Sequence, residues 1–448
     1  MKPIALFWHR RDLRVHDNIG LSAALNSGLP VAGFFCFDRN ILDHLPPRDH
    51  RVGFIHSELK VIRDQYRDAQ GQLIAKHGLA LDTLQQTVNQ CADSGWKVTA
   101  IYTNKDYAPG PVKRDAEVAQ WCGENQIEFH AYDDHVVCPP DAVLKDDGTP
   151  YTVFTPYSKK WHKTFDAFET SPLKEANVQL QGGLAPLDGS FSDFPALSAM
   201  GFDEESASPE GWAAFENRTP DPSTLANYAE RRDIPSLVGT ARMSLHLRFG
   251  TLSVRELTRV GFKHSDKWLT ELIWREFYQA IIHHFPHSAS DAFRAKYDRI
   301  PWRHDDAHFQ AWCEGRTGYP MVDAGMRELN ETGFMHNRVR MVVASFFCKH
   351  LLLDWRLGER YFAEKLLDFE LASNVGGWQW ASGSGCDAAP YFRVFNPESQ
   401  LKKFDPTGAY IRKWVPEWGT DAYPEPIVEH KMARQRAIDT YKAALADA

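Results

Sequence analysis

The sequence predicts an α/β domain with a Rossmann-like parallel sheet, followed by a larger all-α domain. A chain of 448 residues is too long for one ordinary hydrophobic core, so two domains are expected. Short apolar runs alternate with helical patterns in the first third of the chain, as in βαβ units. Beyond residue 206 the apolar residues recur almost throughout with helical spacing.

The elements of the α/β domain follow from this alternation. Five apolar runs predict strands, at Ile4–Trp8, Val31–Phe37, Gln72–Lys76, Val98–Tyr102 and Ile127–Ala131. Four amphipathic segments predict the helices between them, at Gly20–Asn26, Val52–Ala69, Asp82–Ala92 and Arg114–Glu124. The glycine fingerprint G-x-G-x-x-G is absent, so no ordinary dinucleotide site is predicted in this domain.

Proline, glycine, serine and aspartate become frequent after the fifth strand. The pattern predicts domains at 1–132 and 206–448 and a linker at 133–205, with one helix near Tyr157–Phe168. In the second domain Ser253 and Glu256 fit a capping box that opens a helix. Further helical periods are strong at Leu269–His283, Tyr319–Asn330, Arg338–Asp354 and the tail from His430.

Composition excludes several classes of protein. The formal net charge of -8 and the pI near 6.2 disfavour a strongly basic nucleic-acid binder but allow a local basic groove. The seven cysteines form no C-x-x-C pair, which predicts reduced thiols in a cytoplasmic protein. The apolar run at the start ends at Arg10, unlike a secretory signal, and no run of about 18 apolar residues predicts a membrane span.

The segment 374–396, NVGGWQWASGSGCDAAPYFRVFN, is the most informative part of the chain. Trp378 and Trp380 stand two positions apart, and residues at that spacing do not share a face of a helix. One indole can therefore line a cavity while the other faces away, an arrangement suited to stacking on one side and electron transfer on the other. Taken alone, the pair fits two core aromatics better.

Two other helical segments put polar groups beside large side chains. Glu271 and Trp274, three apart in ELIWREFYQ, share a face that suits a planar ligand with polar edges. Asn337 and Met341, four apart in MHNRVRM, pair an amide that can bond base edges with an adaptable thioether. In isolation, each fits an ordinary buried or solvated helix face better.

Weaker patterns point to phosphate and nucleic acid. Hydroxyls at Thr240 and Ser244 flank Arg242 in GTARMSLHLRFG, which suits a pyrophosphate or simple helix capping. Asp368 and Glu370 can bond the edges of a ribose or flavin, or belong to a solvated surface. Basic residues among aromatics suit a nucleic-acid backbone, and they are Arg393, Lys402, Lys403, Arg412 and Lys413 with Phe395, Phe404, Tyr410 and Trp414.

Together these segments resemble the photolyase/cryptochrome family, and within it the class I cyclobutane pyrimidine dimer (CPD) photolyases. The resemblance covers nearly the whole chain. Its most specific stretches are FWHRRDLRVHDN, ELIWREFYQ, EGRTGYPMVDAGMREL, MHNRVRM, LLDWRLGERYF and GGWQWASGSGCDAAPYFRVFNP. It implies that 1–132 is the antenna domain and that 206–448 is the helical, FAD-binding catalytic domain.

The resemblance implies FAD, active in the anionic reduced form. The matching cofactor-binding positions are Tyr228, Thr240, Ala241, Arg242, Met243, Ser244, Trp268, Arg275, Arg340, Asp368, Glu370 and Asn374. Among them, Arg340 and Asp368 match a salt bridge beside the cofactor, and Asn374 matches the residue that faces the reactive flavin nitrogen. Ala241 replaces the usual Ser and Glu370 the commoner Asp, and each change weakens at most one hydrogen bond of about 0.5–1.5 kcal/mol.

The family's electron relay matches Trp378, Trp355 and Trp302, in order from flavin to surface. These tryptophans, Asn374 and Glu271 are the predicted catalytic residues. The predicted DNA-binding residues are Arg232, Glu271, Trp274, Asn337, Arg338, Met341, Trp380 and Lys403. No metal is expected.

The implied activity is that of a carbon–carbon lyase in DNA repair. Light excites reduced FAD, an electron passes to a pyrimidine dimer flipped out of single- or double-stranded UV-damaged DNA, and the cyclobutane ring splits. The implied protein is a monomer in the cytoplasm. The alternatives are a cryptochrome-type blue-light receptor, a (6-4) photolyase, which carries histidine where this chain has Asn337, and a flavin-binding nucleic-acid module without catalysis.

A second, antenna chromophore is expected in the first domain. Folate-binding relatives tend to place a glutamate in the segment that reads KDYAPGPVKRD here, where this chain has prolines and glycine. Folate is therefore disfavoured, and a deazaflavin, FMN or an empty pocket stay open.

Overall fold

A computed structural model describes residues 1–167, 173–191 and 193–446. The chain forms two compact units that interleave along the sequence. The sheet unit comprises Met1–Pro139, Thr164–Arg218 and Met243–Val260. The helical unit comprises Pro140–Lys163, Thr219–Arg242 and Gly261–Ala448. The predicted division into contiguous domains, with boundaries at residues 132 and 205, stays a prediction.

The sheet unit is built on five parallel strands. They are β1 (Lys2–His9), β2 (Val31–Asp38), β3 (Leu73–Gly78), β4 (Trp96–Asn104) and β5 (Glu128–Tyr132). Their order is β3-β2-β1-β4-β5, and Ala5 of β1 is in register with Val31 of β2 and Ala100 of β4. The predicted Rossmann-like sheet is confirmed. It places β1 at the centre, where Ile4–Trp8 is buried on both faces, as its unbroken apolar run requires.

Nineteen α-helices lie in the described residues. The first ten are α1 (Ile19–Leu25), α2 (Arg39–Leu42), α3 (His50–Asp68), α4 (Ala80–Asp93), α5 (Pro109–Glu124), α6 (Phe154–Ala167), α7 (Pro222–Ala226), α8 (Tyr228–Arg231), α9 (Ser244–Phe249) and α10 (Val254–His264). The others are α11 (Asp266–His284), α12 (Asp306–Cys313), α13 (Pro320–Thr332), α14 (Asn337–Ser345), α15 (Trp355–Lys365), α16 (Leu371–Ser382), α17 (Pro397–Phe404), α18 (Ala409–Trp414) and α19 (His430–Ala446).

Prolines and capping side chains set the helix boundaries, and the periodicity of apolar residues does not reveal them. Helix α5 begins at Pro109 rather than at the predicted Arg114, because proline at the first helical position has no N–H to leave unsatisfied. Ser253 caps α10 as predicted, and its hydroxyl accepts from the amides of Arg255 and Glu256 at 3.2 and 3.4 Å. The predicted helix near Tyr157–Phe168 is α6, and its last predicted residue, Phe168, lies outside the described residues.

The single helix predicted at Arg338–Asp354 is wrong. Helix α14 ends at Ser345, a π-helical turn occupies Phe346–Leu351, and Leu352 adopts a left-handed φ of 56°. Every residue of the π-helical turn is buried. A segment that is buried on all sides has no polar stripe to mark a change of helical pitch, so periodicity cannot detect it.

The helical unit buries its core between α13, the α14–π segment, α15 and α16. Trp312, Met326, Phe347 and Trp378 are among its largest members, each 2% exposed or less. Segment 140–163, predicted as linker, belongs to this unit. There Trp161 Nε1 donates to the buried Glu276 carboxylate of α11 at 2.6 Å.

No helix among the described residues is both long and apolar enough to cross a membrane. The seven cysteines all lie in the described part of the chain and are free thiols, and five of them are buried. This agrees with the predicted reduced state.

Candidate functional site

Two ion pairs fix the beginning of α16 within the helical unit. Arg340 of α14 donates to both carboxylate oxygens of Asp368 at 3.0 and 3.1 Å. Arg275 of α11 donates to Glu370, which stands just before α16, at 3.2 Å. Both carboxylates are almost fully buried, so breaking either pair would leave a charge with poor solvation. The salt bridge predicted between Arg340 and Asp368 is present, and the substituted Glu370 has a cationic partner.

Asn374, one turn into α16, is held by a partly buried carboxyl group. Its side-chain amide donates to the backbone oxygen of Glu359 at 3.0 Å and to the Glu359 carboxylate at 2.8 Å. Burial raises the pKa of Glu359, and the hydrogen bond from Asn374 opposes that rise. Because the Glu359 contacts use the amide nitrogen, the orientation of the Asn374 side chain is fixed.

The three predicted relay tryptophans lie in or against one core. Trp378 of α16 packs edge-on against Phe362 and Phe347, with ring centroids 5.0 and 5.5 Å apart. A Cβ on Gly358 of α15 would come within 2.1 Å of the Trp378 ring, so these helices approach closely there. Trp355 stands one turn before Gly358 on the same helix, which directs it towards α16.

Trp302 is followed by Arg303, which forms a short parallel β-bridge with Leu353. Leu353 lies two residues before α15, so the bridge brings Trp302 close to the start of that helix. Trp378 and Trp355 are each 2% exposed, whereas Trp302 is only partly buried. The two inner members of the predicted relay are therefore equally buried, and only Trp302 approaches the surface. Electron transfer through the three residues stays a prediction.

Glu271 and Arg232 form an ion pair on the exposed side of α11. The Arg232 guanidinium donates to the Glu271 carboxylate and lies 5.2 Å from the ring centroid of Tyr228. Burial raises the pKa of Tyr228, and the nearby Glu271 adds to the rise. The structure thus joins residues predicted separately for flavin, substrate and DNA phosphate.

Trp274, one turn after Glu271, stacks on Phe154 of α6. Their ring centroids are 3.6 Å apart and their planes differ by 5°. Trp274 also lies 5.6 Å from Tyr278, whose ring contacts α16 at Gly376. Tyr278 and Trp380 line the same small cavity. Trp380 therefore faces a cavity, whereas Trp378 faces the core, as the spacing of the two tryptophans predicts.

The other predicted DNA contacts lie near the start of α14 and on α17. Asn337 is exposed at the first position of α14, and Met341 is partly buried one turn later. Arg338 pairs with Asp233 at 3.0 Å, and its guanidinium lies 4.4 Å from the Phe404 ring centroid. The exposed Lys403 lies 5.1 Å from the same ring.

His336, the N-cap of α14, is surrounded by cations. Burial and the nearby Arg242, Arg340 and Arg338 together lower its pKa to about 4, against the opposing effect of Asp233. Among the residues that the structure describes, the buried Nε2 of His336 has no hydrogen-bond partner. Arg338 and Arg340 are already ion-paired with Asp233 and Asp368. The imidazole nitrogen beside Arg242 therefore is the part of this cluster that suits an anionic group such as the pyrophosphate of FAD.

The predicted phosphate-binding run is split between the units. Thr240, Ala241 and Arg242 belong to the helical unit, where Arg242 has a left-handed φ of 53° and lies 4.7 Å from the Phe334 ring centroid. Met243 and Ser244 belong to the sheet unit, where Ser244 begins α9. Their joint role stays a prediction, as does that of Trp268, which is buried in α11.

Sequence reasoning missed Phe154, Tyr278 and Glu359. Phe154 lies in a segment predicted as linker, and Glu359 is one of two acidic residues on α15. Tyr278 follows Trp274 by four residues, so the shared helical face could have identified it.

Comparison with known proteins gives two family matches. Residues 268–421 match the FAD binding domain of DNA photolyase, and residues 5–177 match the DNA photolyase model. A deoxyribodipyrimidine photo-lyase of Escherichia coli is 37% identical over 98% of both chains. One of a Synechococcus species is 36% identical over 99% of this chain and 98% of that one.

Solved structures give the same fold. A class III photolyase of Agrobacterium tumefaciens superposes with a TM-score of 0.85 at 30% identity, covering 99% of this chain and 98% of that one. An archaeal photolyase of Sulfolobus tokodaii, solved with two FAD molecules, gives 0.81 at 33% identity and covers 98% and 100%. A Synechocystis cryptochrome gives 0.79 at 26% identity and covers 98% and 99%. The matched FAD binding domain confirms the predicted cofactor, and with relatives of this similarity over nearly its full length the chain belongs to the DNA photolyase family.

Proposed function

We propose that this protein repairs cyclobutane pyrimidine dimers in DNA by light-driven electron transfer. One observation carries the proposal: in the unit that matches the FAD binding domain, Tyr278 and Trp380 line a small cavity, and Trp274 packs beside Tyr278. Stacking on aromatic rings suits flipped-out pyrimidines, whose flat faces have left the duplex. The named photo-lyase relatives support the same activity.

Bound FAD supplies the excited electron that opens the cyclobutane ring and receives it back. The side chains of this protein position the partners. Trp274 is held flat by Phe154, so it offers a rigid stacking surface. Glu271 and Asn337 present polar groups to the edges of the dimer, and Asn374, held by Glu359, faces the flavin.

Cationic side chains of the same unit are proposed to hold the DNA backbone. Arg232, Arg338 and Lys403 are the proposed phosphate contacts, and Arg232 can exchange its Glu271 partner for phosphate. A damaged pair stacks poorly, which lowers the free energy of extrusion and favours the dimer over intact bases. A monomeric state and a cytoplasmic location stay predictions.

Trp378, Trp355 and Trp302 are proposed to carry electrons from the surface to oxidised flavin. The partial exposure of Trp302, next to two buried tryptophans, supports this direction. The sheet unit is proposed to hold an antenna chromophore. The Sulfolobus photolyase with two FAD molecules adds a second FAD to the candidates deazaflavin and FMN, with folate still disfavoured by the sequence.

One assay tests the proposal. Fully reduced protein is mixed with an oligonucleotide that carries one CPD and is illuminated with near-UV light, and intact pyrimidines are quantified by chromatography. We expect repair only in the light and only of the CPD, with matched oligonucleotides carrying a (6-4) photoproduct or no damage as controls. Repair of the (6-4) product instead would identify the rival photolyase.

Absence of repair despite tight binding of damaged DNA would favour the non-catalytic module. Absence of both repair and binding of damaged DNA, with light-induced flavin reduction intact, would favour a cryptochrome-type receptor. The cryptochrome of Synechocystis, similar over 98% of this chain, makes the last outcome a concrete alternative. Either result would overturn the proposal.

A further inference from the structure

Two consecutive histidines at the end of α11 face a short turn of the same unit. His283 and His284 are the last residues of α11, and Pro140 and Asp141 begin a turn of 3-10 helix at Pro140–Ala142. The ligand atoms of Asp141, His283 and His284 lie within 4.8 Å of one another. All four residues belong to the helical unit, and the proposed repair site uses none of them.

The polar atoms of this cluster lie close enough together for one ion to contact all of them. His283 Nε2 is 3.3 Å from the Asp141 carboxylate, and His284 Nε2 is 3.4 Å from the Pro140 carbonyl oxygen. Both exceed the usual hydrogen-bond length of about 2.9–3.0 Å. Tetrahedral zinc with bonds of about 2.0–2.1 Å separates its ligands by roughly 3.3 Å.

The surroundings also favour a cation. The cluster lies at the carboxyl end of a helix, where unsatisfied carbonyl groups give a partial negative charge.

We propose that Asp141, His283 and His284 bind one divalent transition metal of the zinc class, with the Pro140 carbonyl or water as fourth ligand. Two imidazoles and one carboxylate are a ligand set that zinc accepts, whereas magnesium and calcium prefer oxygen ligands alone. The site is structural, because it ties the turn at Pro140–Ala142 to the end of α11.

The test is calorimetric titration of untagged, EDTA-treated, full-length protein with zinc chloride. We expect one equivalent of zinc to bind and to raise the melting temperature, and the variants Asp141→Asn and His284→Ala to lose both effects. His304→Ala, which removes an exposed histidine elsewhere in the unit, is the matched control and should behave as wild type. X-ray absorption at the zinc edge should show two imidazoles and otherwise oxygen ligands.

Each variant is first compared with wild type in EDTA, where equal melting temperatures show that the fold is intact. Failure of wild type to bind one equivalent would overturn the proposal. So would stoichiometric binding that persists in the double variant Asp141→Asn/His284→Ala, since the zinc would then lie elsewhere. Neither result bears on DNA repair, because the cluster is separate from the proposed repair residues.

Discussion

At the scale of the residue, Trp302 tests the proposed electron relay. Trp302→Phe should block photoreduction of oxidised flavin, since phenylalanine is much harder to oxidise, and should leave repair by chemically reduced protein unchanged. Flavin absorbance under illumination and the CPD assay measure the two effects separately. Trp418→Phe is the control, because Trp418 packs against the same core and lies outside the predicted relay. Loss of repair in the pre-reduced variant would contradict this division of roles.

Lys349 gives a prediction of pH dependence. Burial lowers its pKa from 10.5 to about 7. Between these values the unfolded chain binds more protons than the folded one, so the free energy of unfolding rises with pH from about 7 to about 10.5.

Lys349→Met should flatten that rise and increase stability at pH 7, because no buried amine has to lose its proton. The Ser382 carbonyl oxygen, which accepts from Lys349 at 2.7 Å, also accepts from the Tyr441 hydroxyl at 2.8 Å and so keeps a donor. Urea unfolding from pH 6 to 10 measures the effect, with exposed Lys402→Met as control. A wild-type slope in Lys349→Met would show that another group titrates.

At the scale of the element, the contact between α15 and α16 depends on one glycine. Gly358→Ala would place a Cβ 2.1 Å from the Trp378 ring, and overpacking of this kind costs about 1–3 kcal/mol of stability. A Cβ at Gly377, on the exposed side of α16, would have no atom within 4 Å. Gly377→Ala should therefore increase the free energy of unfolding by about 0.5–1 kcal/mol, since alanine favours helix. Denaturant unfolding of both variants gives the comparison, and equal effects would contradict the packing described.

The elements also show what sequence can and cannot predict. The strands were predictable because parallel strands buried on both faces are unbroken apolar runs, as at Ile4–Trp8. The π-helical turn at Phe346–Leu351 was not, because burial on every side removes the polar stripe. In the candidate site, Glu271, Trp274 and Trp380 stood out by spacing and resemblance, whereas Phe154 was missed because its partner Trp274 is 120 positions away in sequence.

At the scale of the whole molecule, the interleaved units limit where the chain can be divided. A fragment of 206–448, the predicted catalytic domain, lacks Phe154 and Trp161. It would leave Trp274 without its stacking partner and remove the Trp161 donor from the buried Glu276. We expect this fragment to unfold without a cooperative thermal transition and to retain little flavin.

The point variant Trp161→Phe in the full chain isolates one of these losses. It should lower the free energy of unfolding by about 1–3 kcal/mol, because the buried Glu276 carboxylate loses a hydrogen bond. Thermal unfolding and flavin absorbance after gel filtration measure both proteins. A fragment of 206–448 as stable as the full chain would show that segment 140–163 is dispensable.

The ion pairs of Asp368 and Glu370 at the start of α16 have a mechanical consequence. Both ion pairs hold the first turn of helix α16, which carries Asn374, Trp378 and Trp380. A movement of this helix would therefore move the three side chains together. A slip by one residue would turn all three side chains by about 100° together. Under the proposed function these residues position the flavin, supply electrons and stack on the substrate, so a substitution at Asp368 or Glu370 is expected to disturb all three roles together.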